Sequence, residues 1–228
     1  MSRLAAPASR LFLLLLSTMH PNAHPSAQGR PRMSSHEDNP WTTLKSSRGY
    51  DNPWIEVIHN EVLNPSGQPG VYGVVKFKNL AVGVLPIDQA GATYLVGQFR
   101  YPLGRYSWEI PEGGCRHGND PLFDAQRELR EETGLVARHW RPLLEMHLSN
   151  SVTDERAVTY LAYDLVQKEP QPDDDERLAI RRLPFAEALE MALRGEITDA
   201  ISVASILRLQ VMAGRRELPD EVTHVLSI

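Results

Sequence analysis

The stretch RELREETGL, Arg127 to Leu135, places three glutamates where they share one side of a helix: Glu128, Glu131 and Glu132. Residues three and four apart project together because each helical residue advances about 100°. Like charges at that spacing destabilise an isolated helix by roughly a few tenths of a kcal/mol per pair, so something must offset them. Arg127 stands four residues before Glu131 and can pair with it, whereas Arg130 points nearly opposite to Glu128. Three carboxylates with few cations nearby suit a hard divalent metal, which prefers oxygen ligands. A solvated acidic helix face has the same pattern, so the flanking elements must decide.

Those elements are well marked. Asp120 is an N-cap and Pro121 the first helical residue. Gly134 stops the helix just past its last turn. Leu122, Ala125 and Leu129 form an inward apolar stripe, which leaves the opposite face to the carboxylates. Immediately upstream, SWEIPEGG (107–114) reads as a short strand running into a Gly-rich turn, where backbone can approach a ligand closely. A strand, a glycine turn and a carboxylate helix make a layout for phosphate plus metal.

Composition narrows the classes. The chain has 228 residues, 42% of them apolar, enough for one domain with a small extension. Residues 1–36 hold Arg3, Arg10, Arg30 and Arg32 and no acid; with a net charge of −5, the remainder carries −9. An acidic body argues against a general nucleic-acid surface. The single cysteine, Cys115, excludes an internal disulfide and a cysteine-based zinc site; beside the glycines it reads as a small loop residue rather than a reactive thiol. Eight histidines lie scattered without ligand spacing. The run LFLLLL (11–16) is too short to span a membrane, and Pro-rich basic sequence follows it. An export signal and an over-extended start, with translation beginning at Met33, are both readings of it; the second places the folded body in the cytoplasm, where Cys115 stays reduced.

Residues 1–36 read as disordered or mis-started, 37–80 as an N-terminal β region, 81–214 as the main domain and 215–228 as a tail. DNPW occurs twice, at 38–41 and 51–54, and its prolines give an extended entry. Strands are predicted at 54–64, 71–78, 81–87, 92–99, 140–148 and 157–166. Helices are predicted at 183–194 and 199–213, the last apolar almost all round. DDDE (173–176) reads as a solvated loop. Strands, a central helix, more strands and closing helices make an α+β arrangement.

From Gly113 to Leu135 the chain resembles the Nudix box: Gly, five residues, Glu, seven residues, then Arg-Glu-apolar-any-Glu-Glu-any-Gly-apolar. Gly113, Arg127, Glu128, Leu129, Glu131, Glu132, Gly134 and Leu135 fall in register. One position departs: the first box Glu is Asn119. The resemblance implies the family's α/β/α sandwich, here with an N-terminal antiparallel β extension. It further implies Mg²⁺ or Mn²⁺ as cofactor, with Glu128 and Glu132 as main ligands, Glu131 close by, and the Glu112 backbone carbonyl completing the shell. Arg127 orients the carboxylates. Asn119 brings no charge but can hydrogen-bond a metal-bound water, so a modest loss is expected.

Three further stretches resemble the family's ADP-ribose pyrophosphatase group: GQFRYPLGRYSWEIPEGG (97–114), SNSVTDE (149–155) and GEITDAISVASIL (195–207). That group often has a Pro about fifteen residues past the box, where this chain has Ser149. The resemblance implies a nucleotide-sugar substrate, ADP-ribose foremost with GDP-mannose and others open, and a homodimer built through the N-terminal β region. Glu155, in what is a mobile loop in that group, is the candidate general base, against an ordinary exposed acid. Arg100 and Arg105 are candidate phosphate contacts, against pairing with surface acids. Trp54 is a candidate base-stacking residue, with core packing as the blander alternative. A sensor that binds such a metabolite without cleaving it rests on Asn119 alone, and nucleic-acid and membrane partners are not expected.

Overall fold

An antiparallel meander opens the fold, formed by β1 (Thr42–Asp51), β2 (Ile55–Leu63) and β3 (Pro69–Phe77). Its second turn is an Asx turn. Asn64 Oδ1 accepts from Ser66 N and Gln68 N at 3.0 and 2.9 Å, and Gly67 takes φ 80°. The first turn repeats the device at the second DNPW: Asn52 Oδ1 accepts from Trp54 N and Ile55 N at 2.8 and 2.7 Å. In this computed structural model, residues 38–168 and 178–226 are described. The expected disorder of 1–36, the start at Met33 and the DDDE loop lie outside them.

After Lys78 come β4 (Asn79–Ile87), β5 (Ala92–Arg100), a 3₁₀ turn (Tyr101–Leu103), β6 (Arg105–Glu109) and β7 (Glu112–Arg116). Helix α1 (Pro121–Thr133), β8 (Leu135–His147), β9 (Arg156–Gln167), β10 (Ala179–Pro184), α2 (Phe185–Leu193), α3 (Ala200–Gly214) and α4 (Asp220–Leu226) follow. One sheet has the order β7-β4-β9-β8, with β4 and β9 parallel and the other pairs antiparallel. A second, antiparallel sheet has the order β10-β5-β6.

Strand β4 reads as a nearly continuous apolar run because both its faces are covered. Leu80, Val82 and Val84 pack with Cys115, Ala125 and Leu129 on the α1 side. Leu85 and Ile87 pack with Ile201, Ile206 and Leu209 on the α3 side. Gly83 lets α3 come close, since a Cβ there would stand 2.8 Å from Ile201 Cγ2. The result is the expected α/β/α sandwich with an antiparallel N-terminal extension. In β9 the pattern slips once: Asp164 takes φ 55°, so Tyr163 packs on the α3 side and Leu165 on the α1 side.

Several local expectations are corrected. Gly113 and Gly114 lie inside β7, paired with Val82 and Ala81, and not in a turn; without side chains they carry no strand signal of their own. The second helix begins at Phe185, not Leu183, because Leu183 and Pro184 still pair with Thr93 and Ala92. Strands β1 and β10 and helix α4 had no prediction. The 149–155 loop lies against β3. Val75 N donates to Val152 O at 2.9 Å, Phe77 N to Asp154 Oδ1 at 2.8 Å, and Tyr72 Oη to Ser151 O at 2.7 Å. Among the described residues, no helix is long and apolar enough to cross a membrane.

Candidate active site

The ends of α1 follow from its sequence. Asp120 accepts from Leu122 N at 3.0 Å, Pro121 opens the helix, and Gly134 takes φ 70° with its N–H on Arg130 O at 2.9 Å. Burial of Ala125 and Leu129 against β4 and β7 fixes the rotation of the helix. Glu128 and Glu132 then face the start of β7. Glu132 is 5% exposed and accepts from Glu112 N at 3.0 Å. The Glu128 carboxylate lies over Gly113, where a Cβ would stand 2.0 Å from its Oε1. Only glycine leaves that carboxylate its place.

Arg127 binds the box together. Its guanidinium donates to Glu128 Oε1 at 2.6 Å, Glu131 Oε2 at 2.5 Å, Asp124 Oδ1 at 3.3 Å and Gly114 O at 3.3 Å. Burial opposes the charge on Arg127, but the carboxylates of Glu128 and Glu131 outweigh it and raise its pKa. Of the three glutamates crowded in the sequence, Arg127 bonds Glu128 and Glu131, while Glu132 is bonded by the Glu112 N–H. Burial alone would raise the Asp124 carboxyl. Hydrogen bonds from Cys115, Asn119 and Arg127 overcome it and hold the group below the ordinary range. Asn119 Nδ2 donates to Asp124 Oδ2 at 3.3 Å, so its amide is turned toward another acid of the helix. Cys115 is 1% exposed, and burial with the Asp124 charge pushes its thiol up to about 11, in keeping with a packing role.

Beside β7 opens a cleft of about 590 Å³, lined among others by Trp54, Arg100, Glu109, Glu112, Glu155 and Asp199. Arg100 Nε meets both carboxylate oxygens of Glu109 at 3.0 Å, and its Nη2 meets Glu112 Oε1 at 2.8 Å. It pairs with buried acids, not surface ones. Glu112 Oε2 is buried and has no hydrogen-bond partner. Burial, then the charges of Asp199 and Glu109, push the Glu112 carboxyl well above the ordinary range despite Arg100. Glu155 is half-buried in the cleft wall, not an ordinary exposed acid, and burial and Asp199 raise its pKa.

Trp54 is 65% exposed, so the core-packing alternative fails. Its backbone is nevertheless fixed, by Asn52 Oδ1 on its N–H and by Lys78 N on its carbonyl at 2.8 Å. Arg105 does not line the cleft: its guanidinium donates to Thr198 Oγ1 at 2.7 Å. Two acids of the site were not singled out in the sequence. Glu109 is 2% exposed; its signal was a lone acid between Trp108 and Ile110, on a strand paired to one that ends in arginine. Asp199 N-caps α3, accepting from Ser202 N at 2.7 Å. That cap was readable, but its second position, in the cleft wall, was not.

The donor set of the Glu112 backbone carbonyl and the Glu128 and Glu132 carboxylates consists of oxygens alone, and Gly113 makes room for Glu128. That chemistry fits a hard divalent cation. Among the described residues, no three His, Cys, Asp or Glu side chains are already gathered at one metal position; Glu128 is held by Arg127 and Glu132 by the Glu112 N–H.

Comparison with known proteins agrees with this geometry. Residues 77–204 match the NUDIX domain, and residues 41–75 match the nucleoside diphosphate sugar hydrolase N-terminal domain. The chain is 30% identical over 171 residues to an ADP-ribose pyrophosphatase of Bacillus subtilis, covering 74% of this chain and 92% of the relative. It is 34% identical over 135 residues to an ADP-ribose pyrophosphatase of Mycobacterium tuberculosis, covering 58% of this chain and 65% of the relative. A solved structure described as an ADP compounds hydrolase superposes with a TM-score of 0.69 at 20% identity, covering 78% of this chain and 97% of its own, and supports the fold. With the box carboxylates on α1, the sandwich around β4 and these matches, the chain belongs to the Nudix hydrolase family.

Proposed function

We propose that this enzyme hydrolyses the pyrophosphate bond of a nucleoside diphosphate sugar, with ADP-ribose, giving AMP and ribose 5-phosphate, as its first substrate. The observation that carries the reading is one cleft beside the box carboxylates that combines Arg100, Glu155 and an exposed Trp54. Its volume lies within the ~300–1,000 Å³ of small-molecule sites. The N-terminal domain match and the relatives' names support the substrate class.

Glu112, through its backbone carbonyl, Glu128 and Glu132 would hold Mg²⁺ or Mn²⁺, with Glu131 close by. The ion, when bound, screens the pyrophosphate charge and lowers the pKa of water. Arg127 fixes Glu128 and Glu131 in place. Glu155 takes the proton of the attacking water, and its raised pKa gives it more affinity for that proton than an ordinary carboxylate has. Arg100 presents its guanidinium to the phosphates from a pocket of buried acids. Trp54 offers its ring face to the base.

A homodimer completes the reading. All ten residues of β1 are exposed, and Trp41, Leu44, Tyr50 and Val71 lie on the surface of the N-terminal sheet. Phe99, Tyr101, Leu103 and Tyr106 are exposed at the β5–β6 turn. Apolar surface on that scale is what a second copy would cover. The acidic body and the buried thiol fit a cytoplasmic enzyme with no nucleic-acid partner.

The test is phosphate release coupled to alkaline phosphatase, with Mg²⁺, over ADP-ribose, GDP-mannose, other nucleotide sugars and nucleoside triphosphates. Fast release from ADP-ribose bears the proposal out. Release from another nucleotide sugar keeps the reaction and changes the substrate. No release from any member, with chelator-sensitive binding retained, makes the chain a sensor.

A further inference from the structure

The Nudix box as it stands here lacks its first carboxylate, yet Arg127 still holds Glu128 and Glu131 at 2.6 and 2.5 Å. Asp124 sits between the two positions. It is 6% exposed, one turn ahead of Glu128 on the same helix. Its Oδ2 is 3.3 Å from Asn119 Nδ2 and its Oδ1 is 3.3 Å from Arg127 Nε. Arg127 in turn donates to Glu128 and Glu131. A carboxylate at 119 would therefore approach the place that the Asp124 carboxylate already fills.

We propose that Asp124 supplies the negative charge that the box elsewhere places at position 119, and so acts as the positioning residue that aims Arg127 at Glu128 and Glu131. Asn119 is then a matched partner and not a defect. Its neutral amide donates to Asp124, where a glutamate would set a second buried anion against the first. The carboxylate beside Arg127 Nε then comes from position 124 and not from 119. The buried location makes the pairing count, since a half-buried guanidinium bonded to a buried carboxylate is screened far less than a surface pair. Asp124 also lies in the first turn of α1, where the helix dipole favours an anion. This inference rests on the proposed role of Glu128 and Glu132, but its test does not depend on turnover alone.

Asp124→Asn, Asn119→Glu and the double variant Asn119→Glu/Asp124→Asn are compared with the wild type by thermal unfolding, Mn²⁺ calorimetry and nucleotide-sugar turnover. Residues that orient metal ligands typically contribute about 10–100-fold in affinity or activity. Asp124→Asn is expected to lose that much in Mn²⁺ affinity and in kcat, with KM little changed. Asn119→Glu alone is expected to lower the unfolding temperature, because two carboxylates then crowd one arginine. The double variant is expected to recover most of both losses, a rescue that loss of packing alone would not give. Wild-type Mn²⁺ affinity in Asp124→Asn, or a double variant no better than Asp124→Asn, would overturn the proposal. If Asp124→Asn does not fold, the double variant decides: a folded protein with near wild-type Mn²⁺ affinity supports the exchange, and an unfolded one overturns it. Lack of wild-type turnover on every nucleotide sugar would defeat the pyrophosphatase reading and leave the Mn²⁺ comparison standing.

Discussion

The carboxylate of Glu128 rests against the α-carbon of Gly113, so closely that a methyl group there would stand 2.0 Å from Glu128 Oε1 and 2.2 Å from its Cδ. The atom in the way is the far end of a flexible side chain, and Gly113 is in an ordinary strand conformation paired to Val82. Gly113→Ala should thus cost the fold little, within about 1 kcal/mol. It should cost the site much, because Glu128 must swing off Gly113 and away from Arg127. We expect an unfolding temperature near that of the wild type and turnover reduced by about 10–100-fold. Equal turnover in the alanine variant would show that the Glu128 position does not matter to the reaction.

Glu132 gives a second test of the carboxylate set. Glutamine keeps an oxygen to accept the Glu112 N–H and keeps the volume, so Glu132→Gln should fold as the wild type does. It removes a nearly buried negative charge, and residues that merely hold a metal ligand already contribute about 10–100-fold. A ligand itself should contribute more, so we expect turnover to fall by more than about 100-fold. Circular dichroism and thermal unfolding check the fold, and steady-state kinetics with saturating Mg²⁺ checks the loss. A wild-type rate would remove Glu132 from the metal site.

The pH profile should be set by Glu155 and its neighbour Asp199. A general base acts only when deprotonated, and burial and Asp199 raise the Glu155 pKa. The acid limb of kcat/KM should then fall off at a higher pH than an ordinary carboxylate would give. Asp199→Asn separates the two acids cleanly. Asparagine caps a helix about as well as aspartate, so α3 keeps its Ser202 N–H bond while the negative charge goes. The acid limb should move to lower pH in Asp199→Asn and disappear with most of the activity in Glu155→Gln. An acid limb unmoved by both substitutions would assign the base elsewhere.

Much of this was legible in the sequence where one residue has one reason. Asp120, Pro121 and Gly134 mark α1 because caps are local chemistry. The apolar run at 81–87 declares a strand, and the crowded glutamates demand a partner that Arg127 supplies to Glu128 and Glu131. What was not legible depends on pairing across the fold. Strand β1, TTLKSSRGYD, shows no buried alternation; it is a strand through its register with β2. Strand β10 is short and runs straight into α2, so a helix pattern hides it. The glycines of β7 disfavour a strand on their own, and pairing with β4 makes it one. Asp124 was not singled out in the sequence, because its role appears only when the fold brings Asn119 and Arg127 to its two oxygens.

Trp54 separates binding from stability. Its side chain is 65% exposed at the cleft, while its backbone is fixed by Asn52 and Lys78. Removing an exposed ring that packs in no core should change stability by no more than about 0.5 kcal/mol. Stacking of a base on an aromatic ring is worth about 1–3 kcal/mol, so Trp54→Ala should raise KM by about tenfold or more with kcat largely kept. The same variant should weaken binding of the free nucleoside monophosphate by a like factor and leave binding of the sugar phosphate unchanged, measured by calorimetry. An unchanged KM would place the base elsewhere in the cleft. An equal loss for both product halves would mean that Trp54 shapes the cleft and does not read the base.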